Sequence, residues 1–399
     1  MRFTPRILQA GVLQAARSFP AVVITGPRRT GKTTLLRRLF PRAAYVILED
    51  PDVQARARAD PRALVEEMRP PVLFDEIQNV PELFAYIRTR VDQKPRATGQ
   101  WLFTGSQEAP LMQGVSESMA GRAAILQLLP FSLSETNRVS LLYGGFPEVL
   151  ARPGARGLWF SSYIQTYLER DVRGVTNIRD LGTFRRFLAL LASRHGQILN
   201  RTDLAAPLGV SVPTITDWLH ILEITGQIIL VPPYFENFGK RLIKSPKVYI
   251  GDSGLACYLL GIITQAELER SPFLGPLFEG FIAAEIVKSQ LNRGQRKELY
   301  HFRDQQGLEV DFLFPRQNGL WMVECKATKT VKPEMARPMT GLRRAMDGRG
   351  AVRMSVVHRA SRTAPPSRGI APGVEALDVP AFVSELGQRK SLRPRRAIP

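Results

Sequence analysis

The sequence predicts an α/β protein in three parts: a parallel-sheet domain, a helical middle and a second α/β domain towards the C-terminal end. Three observations carry this. The stretch "AVVITGPRRTGKTTLLRRLF" runs from a β-branched strand through a glycine-bearing turn into an amphipathic helix. The segments "WFSSYIQTYLERDVRGV" and "TFRRFLALLASRHG" repeat apolar residues three and four apart, the helical period. Later, "LEVDFLFP" and "LWMVECKATK" alternate apolar and polar residues, the period of a strand.

The 399 residues exceed one ordinary core, which suits two or three domains. No apolar run approaches the roughly 20 residues of a membrane span, so no membrane partner is expected. The opening "MRFTPRILQAGVLQAARSFP" lacks the apolar stretch of a secretion signal and reads as a short amphipathic helix. Two cysteines, Cys257 and Cys325, make neither a disulfide framework nor a zinc set. A cytoplasmic location is the simplest expectation. Fifty-five Lys and Arg against 36 Asp and Glu leave a net charge of +19, which favours polyanionic partners, nucleic acid first. An arginine-rich proteome would give the same excess.

The first turn reads Gly26-x-x-x-x-Gly31-Lys32-Thr33, the pattern of a phosphate-binding loop. Its glycines let backbone N–H groups wrap a phosphate, and the helix that follows presents its positive end. The loop from Gly26 through Pro27, Arg28, Arg29, Thr30, Gly31, Lys32, Thr33 and Thr34 would hold ATP. Lys32 would reach the β- and γ-phosphates and Thr33 would hold Mg²⁺. "PPVLFDEIQNV" supplies a buried strand ending in Asp75 and Glu76. Strand ends of this kind carry ligands in open parallel sheets. Asp75 would bind Mg²⁺ and Glu76 would polarise the attacking water. In "GQWLFTGSQ", Thr104 and Ser106 sit where a γ-phosphate sensor would lie, although a plain turn reads the same way. Arg122 is a candidate finger towards the γ-phosphate of its own or a neighbouring subunit, or else a partner of a surface carboxylate. A finger reaching a neighbouring subunit implies a homo-oligomer.

Beyond "GGFPEVL" the order is helix, a turn at Gly209, a second helix from about Val212, and the strand "QIILVPPY". This is the order of a winged helix-turn-helix. The second helix shows Thr214, Thr216 and Asp217 outward and no basic residue. Lys240, Arg241, Lys244 and Lys247 in the expected wing would instead grip DNA phosphates.

In the last part, Glu309 and Asp311 share one face of their strand, and Glu324 and Lys326 share one face of theirs. An antiparallel pairing would bring Asp311 beside Glu324. Asp311 and Glu324 can then hold Mg²⁺, Lys326 can orient or deprotonate its water, and Glu279 can complete the metal shell. A solvated salt-bridge network would show the same alternation.

The first third resembles AAA-type prokaryotic ATPases in Gly26-Pro27-Arg28 with Gly31 to Thr34, in "DEIQ" (75–78) and in "AGR" (120–122). The remainder resembles the uncharacterised C-terminal region fused to them, through "YLERDV", "SPKVYIGDSGL", "FEGF", "EVDF" and "ECKAT". The last three look like the PD-(D/E)xK nuclease-type fold. The resemblance implies ATP binding, hydrolysis and a restriction-endonuclease-like C-terminal domain. The expected partition is a P-loop ATPase domain at 1–140, a helical and winged-helix domain at 141–268, the nuclease-like domain at 269–375, and a flexible basic tail at 376–399. Three functions follow: an ATPase acting with DNA, a nucleotide-controlled regulatory switch that cuts nothing, and a DNA-binding module with a silent nuclease fold.

Overall fold

The computed structural model describes residues 3–105, 118–168, 181–234, 244–316, 319–346, 350–359 and 367–388. Ser106, Lys240, Arg241, most of "YLERDV" and the basic end from 389 lie outside the described residues.

Five short apolar strands form the first sheet: β1 (Ala21–Thr25), β2 (Ala44–Ile47), β3 (Val72–Asp75), β4 (Trp101–Thr104) and β5 (Ala123–Gln127). All pair in parallel, in the order β2-β3-β4-β1-β5. Every residue of β1, β3 and β4 is buried, as strands covered on both faces require. Phe74 stacks on both Trp101 and Phe103 across β3 and β4. Helix α1 (Gln9–Ser18) and helix α2 (Lys32–Leu39) pack beside this sheet through Val12, Leu35 and Leu36. β1, β3 and β4 therefore end side by side, and α2 starts at that rim.

The middle is helical. Phe184, Phe187 and Leu191 of the Leu181–Ser193 helix pack against Ile215, Trp218 and Leu222 of the Val212–Ile224 helix. Asn200 caps the Arg201–Ala205 helix and Ser211 caps the Val212–Ile224 helix, their side chains accepting backbone N–H bonds. Gly209 makes the turn between them at φ 65°. A two-stranded antiparallel sheet follows, β6 (Ile228–Val231) and β7 (Lys247–Ile250), pairing Val231 with Lys247.

The last unit holds a six-stranded mixed sheet: β8 (Tyr300–Arg303), β9 (Glu309–Arg316), β10 (Gly319–Lys326), β11 (Ala351–His358), β12 (Ser367–Ala371) and β13 (Val374–Asp378). Its order is β12-β13-β11-β10-β9-β8. Antiparallel pairing sets Val323 opposite Phe312, so Glu324 and Asp311 fall side by side at the next position. The 18-residue Leu274–Leu291 helix runs between units and is buried on nearly all sides. One apolar cluster gathers Leu129 and Phe131, Val231 and Tyr249, Phe281 and Ile282 of that helix, and Trp321 and Phe382. The three units therefore share a core.

One expectation is corrected here. Residues 376–388 are not part of a flexible tail. Ala376 and Leu377 lie inside β13, and the Val379–Gly387 helix inserts Phe382 and Leu386 into the core. The basic composition of the last residues had hidden this short apolar helix.

Candidate functional site

The phosphate loop follows β1 directly. Gly26 adopts φ 125°, and a Cβ there would lie 2.3 Å from the Leu128 carbonyl oxygen, so only glycine fits. Gly31 takes φ 92° at the start of α2. Lys32 is buried, and its Nζ donates to the carbonyl oxygens of Gly26 (2.9 Å) and Pro27 (3.0 Å). The ammonium thus lies inside the loop that would wrap a phosphate. Thr30 Oγ1 braces the loop by donating to the Pro27 carbonyl at 2.9 Å.

Asp75 ends β3 at the same rim. Thr33 Oγ1 donates to its Oδ1 at 2.7 Å, and Tyr45 donates to its Oδ2 at 2.7 Å. Thr104 at the end of β4 also donates to Oδ1, and its hydroxyl accepts the Glu76 N–H at 3.1 Å. Burial and the Asp75 carboxylate push the Tyr45 phenol well above its usual range, so it stays a donor. A hydroxyl and a carboxylate in contact at a phosphate loop form a donor set suited to Mg²⁺ with phosphate oxygens.

Glu76 sits in a left-handed conformation, φ 55°. Its carboxylate accepts from the Gln78 amide and lies 3.8 Å from Arg28. Arg28 also reaches Glu49 at 3.4 Å. The strained backbone aims Glu76 at the loop, and Arg28 holds it there.

Small-ligand sites run from about 300 to about 1,000 Å³. The cleft over this loop measures ≈ 600 Å³, with Phe3, Thr4, Phe131 and Pro147 on its far walls. Arg6 locks those walls to the loop. It donates to the carbonyl oxygens of Thr30 (2.9 Å) and Leu129 (2.6 Å) and pairs at 2.8 Å with Glu135, whose side chain is buried. Its guanidinium lies over the Phe131 ring. Sequence reading missed Arg6, Tyr45 and Glu49, because their partners are 21 to 129 residues away.

Arg122 is corrected. It precedes β5, at the amino end of the sheet, where its carbonyl accepts the Ala21 N–H. The phosphate loop leaves the opposite end of β1. Arg122 forks onto Asp92 at 2.6 and 3.1 Å, the surface pairing left open above. It does not reach the γ-phosphate of its own subunit.

The second site brings together Asp311 of β9, Glu324 and Lys326 of β10, and Glu279 of the Leu274–Leu291 helix. Asp311 Oδ2 accepts the Cys325 N–H at 2.8 Å, and Lys326 Nζ pairs with Glu324 Oε1 at 2.6 Å. The new member is Lys247, first residue of β7. Its ammonium lies 2.8 Å from Glu279, 2.6 Å from Glu309 and 3.6 Å from Asp311. Tyr249 donates to Glu279 at 2.5 Å. Lys247 therefore does not grip DNA phosphates from a wing: its side chain is only 3% exposed.

Four carboxylates here face two ammoniums and, at Glu309, the Arg303 guanidinium at 3.4 Å. Burial, then the Asp311 charge, pushes Glu279 up to about 7 and Glu324 up to about 8. Burial works against the Lys247 ammonium, but Glu279, Asp311 and Glu309 more than offset it and hold the lysine charged. Among the described residues, no three His, Cys, Asp or Glu side chains are arranged to hold one metal. The expected Mg²⁺ at Glu279, Asp311 and Glu324 does not fit this arrangement, because an ammonium already stands between the carboxylates.

The Leu274–Leu291 helix joins the two sites. Glu279 lies on it, and so do Glu285 and Lys288. Glu285 accepts the Leu133 N–H at 2.9 Å, and Lys288 donates to the Phe131 carbonyl at 3.0 Å. Phe131 is a wall of the nucleotide cleft.

Among the described residues, no helix is long and apolar enough to cross a membrane. Residues 18–137 match the family model described as AAA domain. Residues 135–266 match a domain of unknown function, DUF8612, and residues 274–376 another, DUF4143. The uncharacterized protein Rv2008c of Mycobacterium tuberculosis is 33% identical over 337 residues, 83% of this chain and 75% of that protein. Mb2031c of Mycobacterium bovis matches with the same figures. Among solved structures, the Walker-type ATPase paby2304 of Pyrococcus abyssi is 17% identical, covers 63% of this chain and 94% of its own, and has a TM-score of 0.39. A single-substitution variant of RuvB from Thermotoga maritima is 15% identical, covers 56% and 87%, and has a TM-score of 0.30. The chain belongs to the family of these two mycobacterial proteins, and its N-terminal unit is an AAA domain of the P-loop ATPase type.

Proposed function

We propose that the protein binds ATP with Mg²⁺ at the cleft over residues 26–34, hydrolyses it, and uses the nucleotide state to control the units that follow. The contact between Thr33 and Asp75 carries this reading. Thr33 and Asp75 would hold Mg²⁺, which when bound neutralises charge on the phosphates. Lys32 exchanges its loop carbonyls for phosphate oxygens. Glu76 orients a water and takes its proton, once Arg28 releases the carboxylate. Phe3, Thr4 and Phe131 would flank the base.

The partition at 1–140, 141–268 and 269–375 is kept as part of the proposal, with the last boundary moved beyond the Val379–Gly387 helix. The helix-turn-helix order and the two-stranded sheet β6–β7 support a winged-helix reading of the middle unit. The order Glu279, Asp311, Glu324, Lys326 supports a PD-(D/E)xK-like reading of the last. DNA is the partner that the +19 charge favours. A cytoplasmic location agrees with this reading. Arg122 retains only a use in trans, in a homo-oligomer.

A second reading is favoured by the buried ammonium of Lys247: a nucleotide-driven switch whose nuclease-like unit cuts nothing. Retention of duplex DNA on filters across a salt series, together with Mg²⁺- and Mn²⁺-dependent nicking of plasmid, tests both. Salt-sensitive retention with intact plasmid supports the switch acting on DNA. Nicking lost in Asp311→Ala/Glu324→Ala supports the nuclease. No retention at low salt removes DNA from the proposal.

A further inference from the structure

The acidic cluster on β9, β10 and the Leu274–Leu291 helix carries its own cation, and that cation comes from another unit. Lys247 starts β7. Its backbone is fixed on both sides, by Val231 of β6 and by a bridge to Ile198. From there its side chain crosses to Glu279, Glu309 and Asp311. Its distances to Glu279 and Glu309 are those of charge-assisted hydrogen bonds. A divalent metal in this cluster needs carboxylate oxygens at about 2.0 to 2.6 Å, and it would meet the ammonium at contact distance and with like charge. The two cations cannot share the position. Yet the cluster is not saturated. Glu324 is 5% exposed, and among the described residues its Oε2 is buried with no hydrogen-bond partner. One oxygen thus remains available on the side away from Lys326.

We propose that Lys247 is the resident cation of the C-terminal acidic cluster and that its ammonium occupies the place a divalent metal would need. This rests on reading the last unit as nuclease-like, since that reading is what calls for a metal at these carboxylates. Lys247 is a positioning residue here. It neutralises Glu279 and Asp311 and ties β6–β7 to the second sheet.

The test is Mn²⁺ uptake by the full chain without nucleotide, followed by calorimetry and by the electron paramagnetic resonance signal of free Mn²⁺. Asp311→Asn in each background identifies uptake at this cluster, because the phosphate-loop site lacks Asp311. Wild type should show no uptake that depends on Asp311. Lys247→Met should gain one equivalent, lost again in Lys247→Met/Asp311→Asn. If Lys247→Met does not fold, Glu309→Gln decides: it removes one of the carboxylates that hold Lys247, and the partner of Arg303 with it. That variant should show the Asp311-dependent Mn²⁺ uptake that wild type lacks. A folded Lys247→Met with no added uptake overturns the inference, and so does wild-type uptake through Asp311 equal to that of the variants. Plasmid nicking separates the two readings. A variant that gains Mn²⁺ but leaves plasmid intact upholds the resident cation and removes the nuclease. Wild-type nicking that needs Asp311 does the reverse.

Discussion

Thr33 and Asp75, 42 residues apart, meet at 2.7 Å where α2 begins and β3 ends. Two hydroxyls besides Thr33, those of Tyr45 and Thr104, also bear on this carboxylate. The Asp75 carboxylate, with three donors around it, is prepared for a metal that will displace at least one of them.

Asp75→Asn should therefore lower Mg²⁺-dependent ATP turnover by at least about a hundredfold, through lost charge stabilisation at the metal. Nucleotide binding without metal should survive, because the loop N–H groups remain. Tyr45→Phe should cost less than Asp75→Asn, since it removes one orienting bond and leaves the charge. Steady-state turnover and equilibrium binding of a fluorescent ATP analogue check both.

Arg6→Ala should destabilise the N-terminal unit by about 3 kcal/mol, because it leaves Glu135 buried without its ion-pair partner. The carbonyls of Thr30, in the phosphate loop, and of Leu129 lose their donor as well. Denaturant unfolding measures the first effect. Weaker nucleotide binding at a temperature where the variant is folded measures the second.

Arg122→Ala should leave turnover unchanged in dilute protein, because Arg122 pairs with Asp92 at the far end of the sheet. A fall confined to concentrations at which copies associate would assign Arg122 a role between subunits. A concentration-independent fall would contradict its placement.

Stability should fall as pH rises from about 6.5 to about 8. Glu279 and Glu324 are held above the ordinary glutamate value of 4.5, so the folded state binds protons that the unfolded state releases. Their contribution is complete below that ordinary value and is lost as pH passes about 7 and about 8. His195 and His301, held by burial below the ordinary imidazole value of 6.5, act in the opposite sense below that value, and Glu269 and Glu309, held low, act lower still. Asp311→Asn should flatten the slope, because the Asp311 charge helps raise both. Thermal unfolding midpoints across the range give the sign directly.

Local pattern carried the sequence reading where chemistry is local. The loop from Gly26 to Thr34 and the strand ending at Asp75 are contiguous motifs, and alternation put Asp311, Glu324 and Lys326 on matching faces. What was not legible is what closes over long separations. Arg6 finds Glu135 only because β5 returns beside β1. Lys247 reads as a wing residue until β7 packs beside the Leu274–Leu291 helix. The Val379–Gly387 helix was lost among basic neighbours, although Phe382, Val383 and Leu386 carry the helical spacing. Arg122 shows the opposite error: a motif in the right order can still sit at the wrong end of a strand.

The most direct measurement is Mg²⁺-dependent ATP turnover by the full chain and by Lys32→Ala. Turnover in wild type that requires Mg²⁺ and vanishes in a folded Lys32→Ala variant is the expected result. Equal turnover in the two proteins, or none in wild type under any nucleotide and metal condition, would contradict an ATPase site at Lys32, Thr33 and Asp75.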